Sequence, residues 1–209
     1  MPPGRNADSD SGFRPVGPRL ATVLAMGDGK GPRIAPGSRA EIGLVNAAFA
    51  RVAGVVTRSE PPRIFTTLGR HRGLFRRWLW FAAALMPGGK LPREETELVI
   101  LRVAHNTGND YEWSQHERIG RRAGLSEEEI SRVRAGADAP EWSERRALLL
   151  RAADEMHERR QIGAELWAQL SRHLDEVLLI ELCMLIGHYE MLAMTLNTLE
   201  VEPELPARL

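Results

Sequence analysis

A single cysteine, Cys183, occurs in the 209 residues. No disulfide can form within this sequence. A Cys-x-x-Cys redox centre is excluded as well, because its chemistry needs an attacking and a resolving thiol. Cys183 stands among Leu182, Met184, Leu185 and Ile186, the setting of a buried, inert thiol. Lysine is almost missing, at Lys30 and Lys90 only, and neither sign of charge is in excess, with 28 Lys and Arg against 28 Asp and Glu. No net field would gather nucleic acid or an anionic membrane surface. No stretch of membrane-spanning length is free of charges, and the N-terminal residues lack the apolar core of a secretion signal. A cytoplasmic protein is the expectation. Gly-x-Ser-x-Gly, phosphate-loop and dinucleotide fingerprints are missing. The glycine-rich run 27–31 lacks phosphate-loop spacing and follows no strand. No basic stripe interleaved with aromatics suggests nucleic acid.

What is present is a globular composition, 43% hydrophobic, long enough for one domain with a real core. Residues 1–38 are rich in Pro, Gly, Ser and Arg and read as a disordered or extended arm. From residue 39 to 209 the reading is helical, an all-α domain. Ser38 is placed to cap a helix running through Ala47, Phe49 and Val52. Pro61 and Pro62 break the chain before a short helical turn at Ile64 to Leu68. His71 to Met86 contains Trp78-Leu79-Trp80-Phe81, apolar on every side, so it is expected to be buried on every side, in part by another subunit. Pro92 suits the first turn of the next helix, with Glu94, Glu95 and Glu97 near its positive end. Later helices are expected over 110–123, from the capping box Ser126-Glu127-Glu128-Glu129, over 141–160, over 164–173 and over 175–199. The runs 98–105 and 181–188 echo one another in apolar pattern, as a duplicated helical unit would.

The most informative stretch is 97–116. Glu97 opens a nearly all-apolar helix, Thr107-Gly108 makes a turn, and a second helix carries Asn109, Glu112 and His116 at i, i+3 and i+7. At about 100° per residue these three fall within roughly 60° on one face. A carboxylate and an imidazole converging beside an apolar wall can move a proton.

Each residue has two readings. His116 titrates near neutral pH and suits general acid–base work, or it is a hydrogen-bonded histidine on a helix flank. Glu112, at i, i+4 from His116, orients it and raises its pKa, or it completes a capping box with Asn109 as the N-cap. Glu97 stabilises a helix start, or, buried among Leu98 to Leu101, it is an acid in need of a partner and useful for proton transfer. Tyr111 and Trp113 line the pocket or the core. His105 suits the helix dipole as a cation. His188, Glu190 and Asn197 reach the same pocket or a subunit interface. Glu112 and His116 could begin a metal site, but no third ligand is indicated by spacing.

This stretch, with Gly187-His188-Tyr189-Glu190-Met191-Leu192-Ala193-Met194-Thr195-Leu196-Asn197 as a second marker, resembles the carboxymuconolactone decarboxylase and alkylhydroperoxidase (AhpD-like) family from about Glu41 to about Glu200. The resemblance implies an AhpD-like helical bundle, a single domain in a homo-oligomer, often a trimer or hexamer. Peroxidase members have an acid, a Cys-x-x-Cys pair and a histidine. The acid falls on Glu97, the histidine on His116, and the cysteines on Asn109 and Glu112. The small decarboxylases of the family are shorter and differ around the histidine.

The expected activity is a cofactor-free lyase or isomerase that moves a proton next to a carbonyl of a small molecule, a carboxylate or a lactone. His116 would carry the proton, with Glu97 and Glu112 tuning it. Asn109, Tyr111, Trp113 and His188 would bind substrate, and Arg102 or Arg118 would meet its carboxylate. A non-catalytic oligomeric binding protein, a metal enzyme and a hydroperoxide reductase are the alternatives, the last opposed by the missing thiols.

Overall fold

The computed structural model describes residues 31–57 and 60–204; of the arm expected over residues 1–38, residues 1–30 lie outside them. Ten helices and no strand occur among the described residues: α1 (Arg39–Ile42), α2 (Leu44–Thr57), α3 (Arg63–Leu68), α4 (Arg72–Leu85), α5 (Arg93–Asn106), α6 (Asp110–Ala123), α7 (Glu127–Ala135), α8 (Glu144–Arg159), α9 (Ala164–Leu170) and α10 (Glu176–Leu199). Residues 32–209 group into one compact unit. Its contacts begin before the first helix: Arg33 N–H donates to Leu199 O and Gly37 N–H to Thr66 O.

Short polar side chains start half of these helices. Ser126 forms a reciprocal capping box with Glu129, and Asn109, Ser143 and Asp175 each accept a backbone N–H three residues on. The first helix departs from expectation. The run from Ser38 divides at Gly43, whose φ of 81° lies in the left-handed region open to glycine. The helix expected over 141–160 starts at Glu144, after Glu141 at φ 71°.

α5 is the axis of the domain. Val99, Ile100 and Val103 enter one hydrophobic cluster with residues of α8, α9 and α10. Leu98, Leu101 and Ala104 enter a second with Trp113, Leu125, Ile130 and Val133. A helix buried on both sides needs an apolar residue at nearly every position, which is why this run has so little helical periodicity. α8 bridges the same clusters, with Leu149 in one and Leu150 in the other. Ion pairs fix the axis at its start: Glu95 takes the Arg145 guanidinium on both oxygens at 2.8 Å, and Glu94 pairs with Arg146 at 2.6 Å. Further along, Arg102 binds both Asp154 oxygens and Val133 O.

α10 packs against α5, α8 and α4. It is long and apolar enough to cross a membrane by length and composition, with 50% of the apolar window buried inside the domain. This central position is where a core helix passes the same test. Within one chain α4 buries only Phe75 and Leu85, while Trp80 is 82% exposed and Leu74 and Phe81 also meet solvent.

Because α5 has no open side into which the structure can relax, Ile100→Ala is expected to cost roughly 2–5 kcal/mol of stability. The shift of the urea unfolding midpoint at unchanged slope measures it.

Candidate active site

The turn between α5 and α6 sets the geometry. Gly108 adopts φ 59°, and the Asn109 N–H donates to Ala104 O at 2.9 Å. Asn109 Oδ1 accepts the Glu112 N–H at 2.7 Å, so Asn109 is the N-cap of α6. With the Asn109 N–H already bonded to Ala104, Glu112 does not complete a capping box. Its carboxylate turns to His116 instead. The chain doubles back, and His116 meets Glu97 across the helix pair. Gly120, one turn beyond His116, lets α6 approach this closely: a Cβ there would lie 3.7 Å from Glu97 Cβ and 3.1 Å from Leu125 Cδ1.

His116 is buried, with both ring nitrogens facing carboxylates. Nδ1 is 2.6 Å from Glu97 Oε2, and Nε2 is 3.3 Å from Glu112 Oε2. Glu97 is 0% exposed, and its Oε1 pairs with the Arg93 guanidinium at 2.8 Å. Burial by itself lowers the His116 pKa. The charge of Glu97 and hydrogen bonds to Glu112 and Glu97 outweigh it and push the pKa up to about 9. The balance is intelligible by charge: with His116 protonated, two cations meet two carboxylates, whereas neutral imidazole leaves one buried negative charge uncompensated.

Aromatic rings close the cluster from α10 and α4. Tyr189 stands edge-on to His116, with ring centroids 5.1 Å apart at 90°. Burial, then the charges of Glu112 and Glu97, raise its phenol well above the ordinary value. Next to it, His188 packs against Tyr189 at 5.1 Å, Phe81 at 5.2 Å and Trp78 at 6.1 Å. Burial, and then the His116 charge, lower the His188 pKa to about 4. It is therefore a neutral imidazole near pH 7, and its buried Nδ1 has no hydrogen-bond partner among the described residues.

The structure thus gathers Glu97, Glu112 and His116, with His188 one ring away through Tyr189. Asn109, Tyr111 and Trp113 are engaged elsewhere. Beyond its cap, Asn109 donates to Asn197 Oδ1 at 2.8 Å, joining α6 to α10. Tyr111 donates to Glu204 Oε1 at 2.6 Å and accepts the Ile64 N–H at 3.2 Å. Trp113 lies under the Arg134 guanidinium at 3.7 Å, in the second core cluster. The helix alternation that turns Glu112 toward His116 turns these neighbours away.

Arg102 is held by Asp154, and Arg118 is exposed and bonded to Gln115, so neither faces the cluster. His105 stands in the last turn of α5, where burial and the charges of Arg102 and Arg134 lower its pKa. Glu190 faces α8, accepting His157 at 2.7 Å. Sequence reasoning missed Arg93, the cation that does touch Glu97. Its signal was the i, i+4 spacing to Glu97. Tyr189, named only among lesser candidates, supplies the ring against His116. No group of three or more His, Cys, Asp or Glu among the described residues is arranged to hold a metal ion.

Comparison with known proteins bears on the fold. The Carboxymuconolactone decarboxylase family model matches residues 72–155, the segment holding the cluster. No curated protein matches the chain. Among solved structures, an AhpD-core, uncharacterised peroxidase-related protein from Ralstonia eutropha is 16% identical with a TM-score of 0.75, covering 85% of this chain and 94% of that one. An uncharacterised peroxidase-related protein from a Silicibacter species is 13% identical with a TM-score of 0.72, covering 78% and 86%. A cysteine-to-alanine variant of the debrominase Bmp8, in complex with 2,3,4-tribromopyrrole, is 15% identical with a TM-score of 0.72, covering 85% and 94%. The matched segment holds the cluster, and these structures show that the chain adopts the AhpD-like helical fold, here without a Cys-x-x-Cys pair.

Proposed function

We propose that this protein is a cofactor-independent enzyme that transfers a proton next to the carbonyl of a small carboxylate or lactone, by decarboxylation or isomerisation. The observation that carries the reading is a buried imidazole held between two carboxylates, His116 between Glu97 and Glu112. At neutral pH this imidazole is cationic and acts as the acid. In a decarboxylation, the carbon–carbon bond breaks, its electrons pass into an enolate as carbon dioxide leaves, and His116 protonates the carbon. Water then returns the proton by way of Glu112. In an isomerisation, Glu112 takes the proton first and His116 donates at the second carbon. Glu97, tied to Arg93, holds the ring. Arg93 is 37% exposed at its side chain and can lend its outer N–H groups to a substrate carboxylate.

Thiol peroxidase chemistry has little support here, since Cys183 has no second thiol and burial raises its pKa. The reading includes a homo-oligomer. Exposed apolar residues on α2 (Leu44, Val45, Val52), α4 (Trp80) and α10 (Ile180, Met184) support it, because such patches mark interfaces.

Turnover of 4-carboxymuconolactone and a panel of β-keto and γ-lactone carboxylic acids in D2O tests the reaction, with carbon dioxide release and deuterium incorporation by NMR as readouts. His116→Gln is expected to lower the rate on any accepted acid by about 10²–10⁴-fold. Equal rates for variant and wild type, or no turnover of any panel member, reject the reading.

The pH dependence of stability has a defined sign. His116 has its pKa raised in the folded state, from 6.5 to about 9. Its stabilising contribution is full below pH 6.5 and is lost as pH rises through about 9. The wild-type Tm should therefore fall across that window by more than that of His116→Gln, as calorimetry at matched pH values would show. Under the same reading, turnover that needs the imidazolium declines above about pH 9.

A further inference from the structure

α3 starts without a cap of its own. Pro62 precedes it and offers no side-chain hydrogen bond to the first N–H groups of the helix. Those groups are met from distant parts of the chain. Arg63 N–H donates to Glu204 Oε1, and Ile64 N–H donates to the Tyr111 hydroxyl at 3.2 Å. That hydroxyl donates in turn to Glu204 Oε1 at 2.6 Å. Gln115 Nε2 donates to the other Glu204 oxygen, while Gln115 Oε1 accepts Arg118 at 2.6 Å. One carboxylate thus accepts three hydrogen bonds, one from α3 and two from α6. The chain that follows α10 delivers it. Val201 is buried in the first hydrophobic cluster, and its N–H donates to Leu196 O at 3.1 Å. Glu202 pairs with the Arg63 guanidinium at 2.7 Å and makes no hydrogen bond or ion pair to α6 among the described residues.

The two α6 residues that meet Glu204 are immediate neighbours of the two that meet each other in the cluster. Tyr111 precedes Glu112, and Gln115 precedes His116. About 100° of helix rotation separates the two pairs. A turn of α6 about its axis that slackens one set of contacts therefore shifts the other. Burial, and then the Glu204 charge, raise the Tyr111 phenol above its ordinary value, so it stays a donor to the carboxylate near pH 7. We infer that Glu204 is a positioning residue: through Tyr111 and Gln115 the segment 201–204 sets the rotation of α6, and with it the distance of the His116 ring from Glu97 and Glu112. The effect on the ring stands without the catalytic reading, and the effect on turnover rests on it.

The His116 titration reads that geometry, followed by NMR of the ring nitrogens in the full chain and assigned with His116→Gln. Glu204→Ala should bring its midpoint down from about 9 toward 6.5, because a ring displaced from Glu97 and Glu112 loses the contacts that hold its proton. Tyr111→Phe removes one of the three bonds and should move the midpoint the same way, less far. Glu204→Gln keeps an oxygen for Arg63 and Tyr111 and should recover part of the shift. Glu202→Gln breaks the neighbouring ion pair and should leave the midpoint in place. On an acid that the wild type turns over, Glu204→Ala should lower kcat by up to about 10²-fold, with a smaller change in KM. A lower Tm in Glu204→Ala with the His116 midpoint unmoved makes the segment a clasp for stability alone and overturns the inference. So does a Glu202→Gln midpoint that moves as far as that of Glu204→Ala. The titration decides the inference even where no acid is turned over, an outcome that removes the catalytic reading alone. Should Glu204→Ala fail to fold, an unmoved midpoint in both Glu204→Gln and Tyr111→Phe overturns the inference, and a lowered one in both upholds it.

Discussion

A carboxylate with no route to water is the constraint around which the domain is organised. Glu97 sits on α5, a helix packed between two hydrophobic clusters, and none of its surface meets solvent. A lone buried charge in such a place would be neutralised by taking up a proton. Here its charge is balanced by an ion pair with Arg93 along its own helix and by a hydrogen bond with His116 from the next. The second contact requires α6 to lie close against α5, which Gly120 permits. It also favours the charged imidazole, which then draws in Glu112. One burial decision thus dictates the crossing of two helices and the protonation state of a third side chain.

The three acids at the start of α5 are divided by direction. Glu94 and Glu95 reach the α8 arginines at the domain's side, and Glu97, on another face, turns inward. The loop that delivers α5 is held too: Glu181 of α10 accepts the N–H groups of Lys90 and Leu91 at 2.7–2.9 Å. The axis helix is therefore held in register by charge as well as by its apolar packing. That matters for chemistry, because proton transfer is sensitive to displacements well below one ångström. Side chains packed on a rigid pair of helices hold their geometry better than side chains on loops.

Fold and chemistry separate among proteins of this fold. Structures sharing the helical arrangement at 13–16% identity include peroxidase-related proteins and a debrominase. One helical fold can carry different reactions, so the reaction must be argued from the side chains present. In this chain the groups at hand are carboxylates and an imidazole, with the lone thiol on another helix.

Much was legible without coordinates. The caps at Asn109 and Ser126 announced themselves through short polar residues before apolar runs, since these bonds are local and cost little entropy to form. The hairpin of α5 and α6 followed from Thr107-Gly108, and the convergence of Glu112 and His116 from helical spacing alone. One cysteine ruled out paired-thiol chemistry by count. Tertiary structure decided the rest. It set Glu97 against His116, nineteen residues away, and freed Glu112 by satisfying the Asn109 N–H with Ala104. It turned Tyr111 and Trp113 into the core, left Trp80 in the open, and chose Arg93 over Arg102 and Arg118. Those outcomes depend on which helix faces lie against each other. A linear pattern records which residues share a face, but the partner of that face is fixed only when the whole core packs.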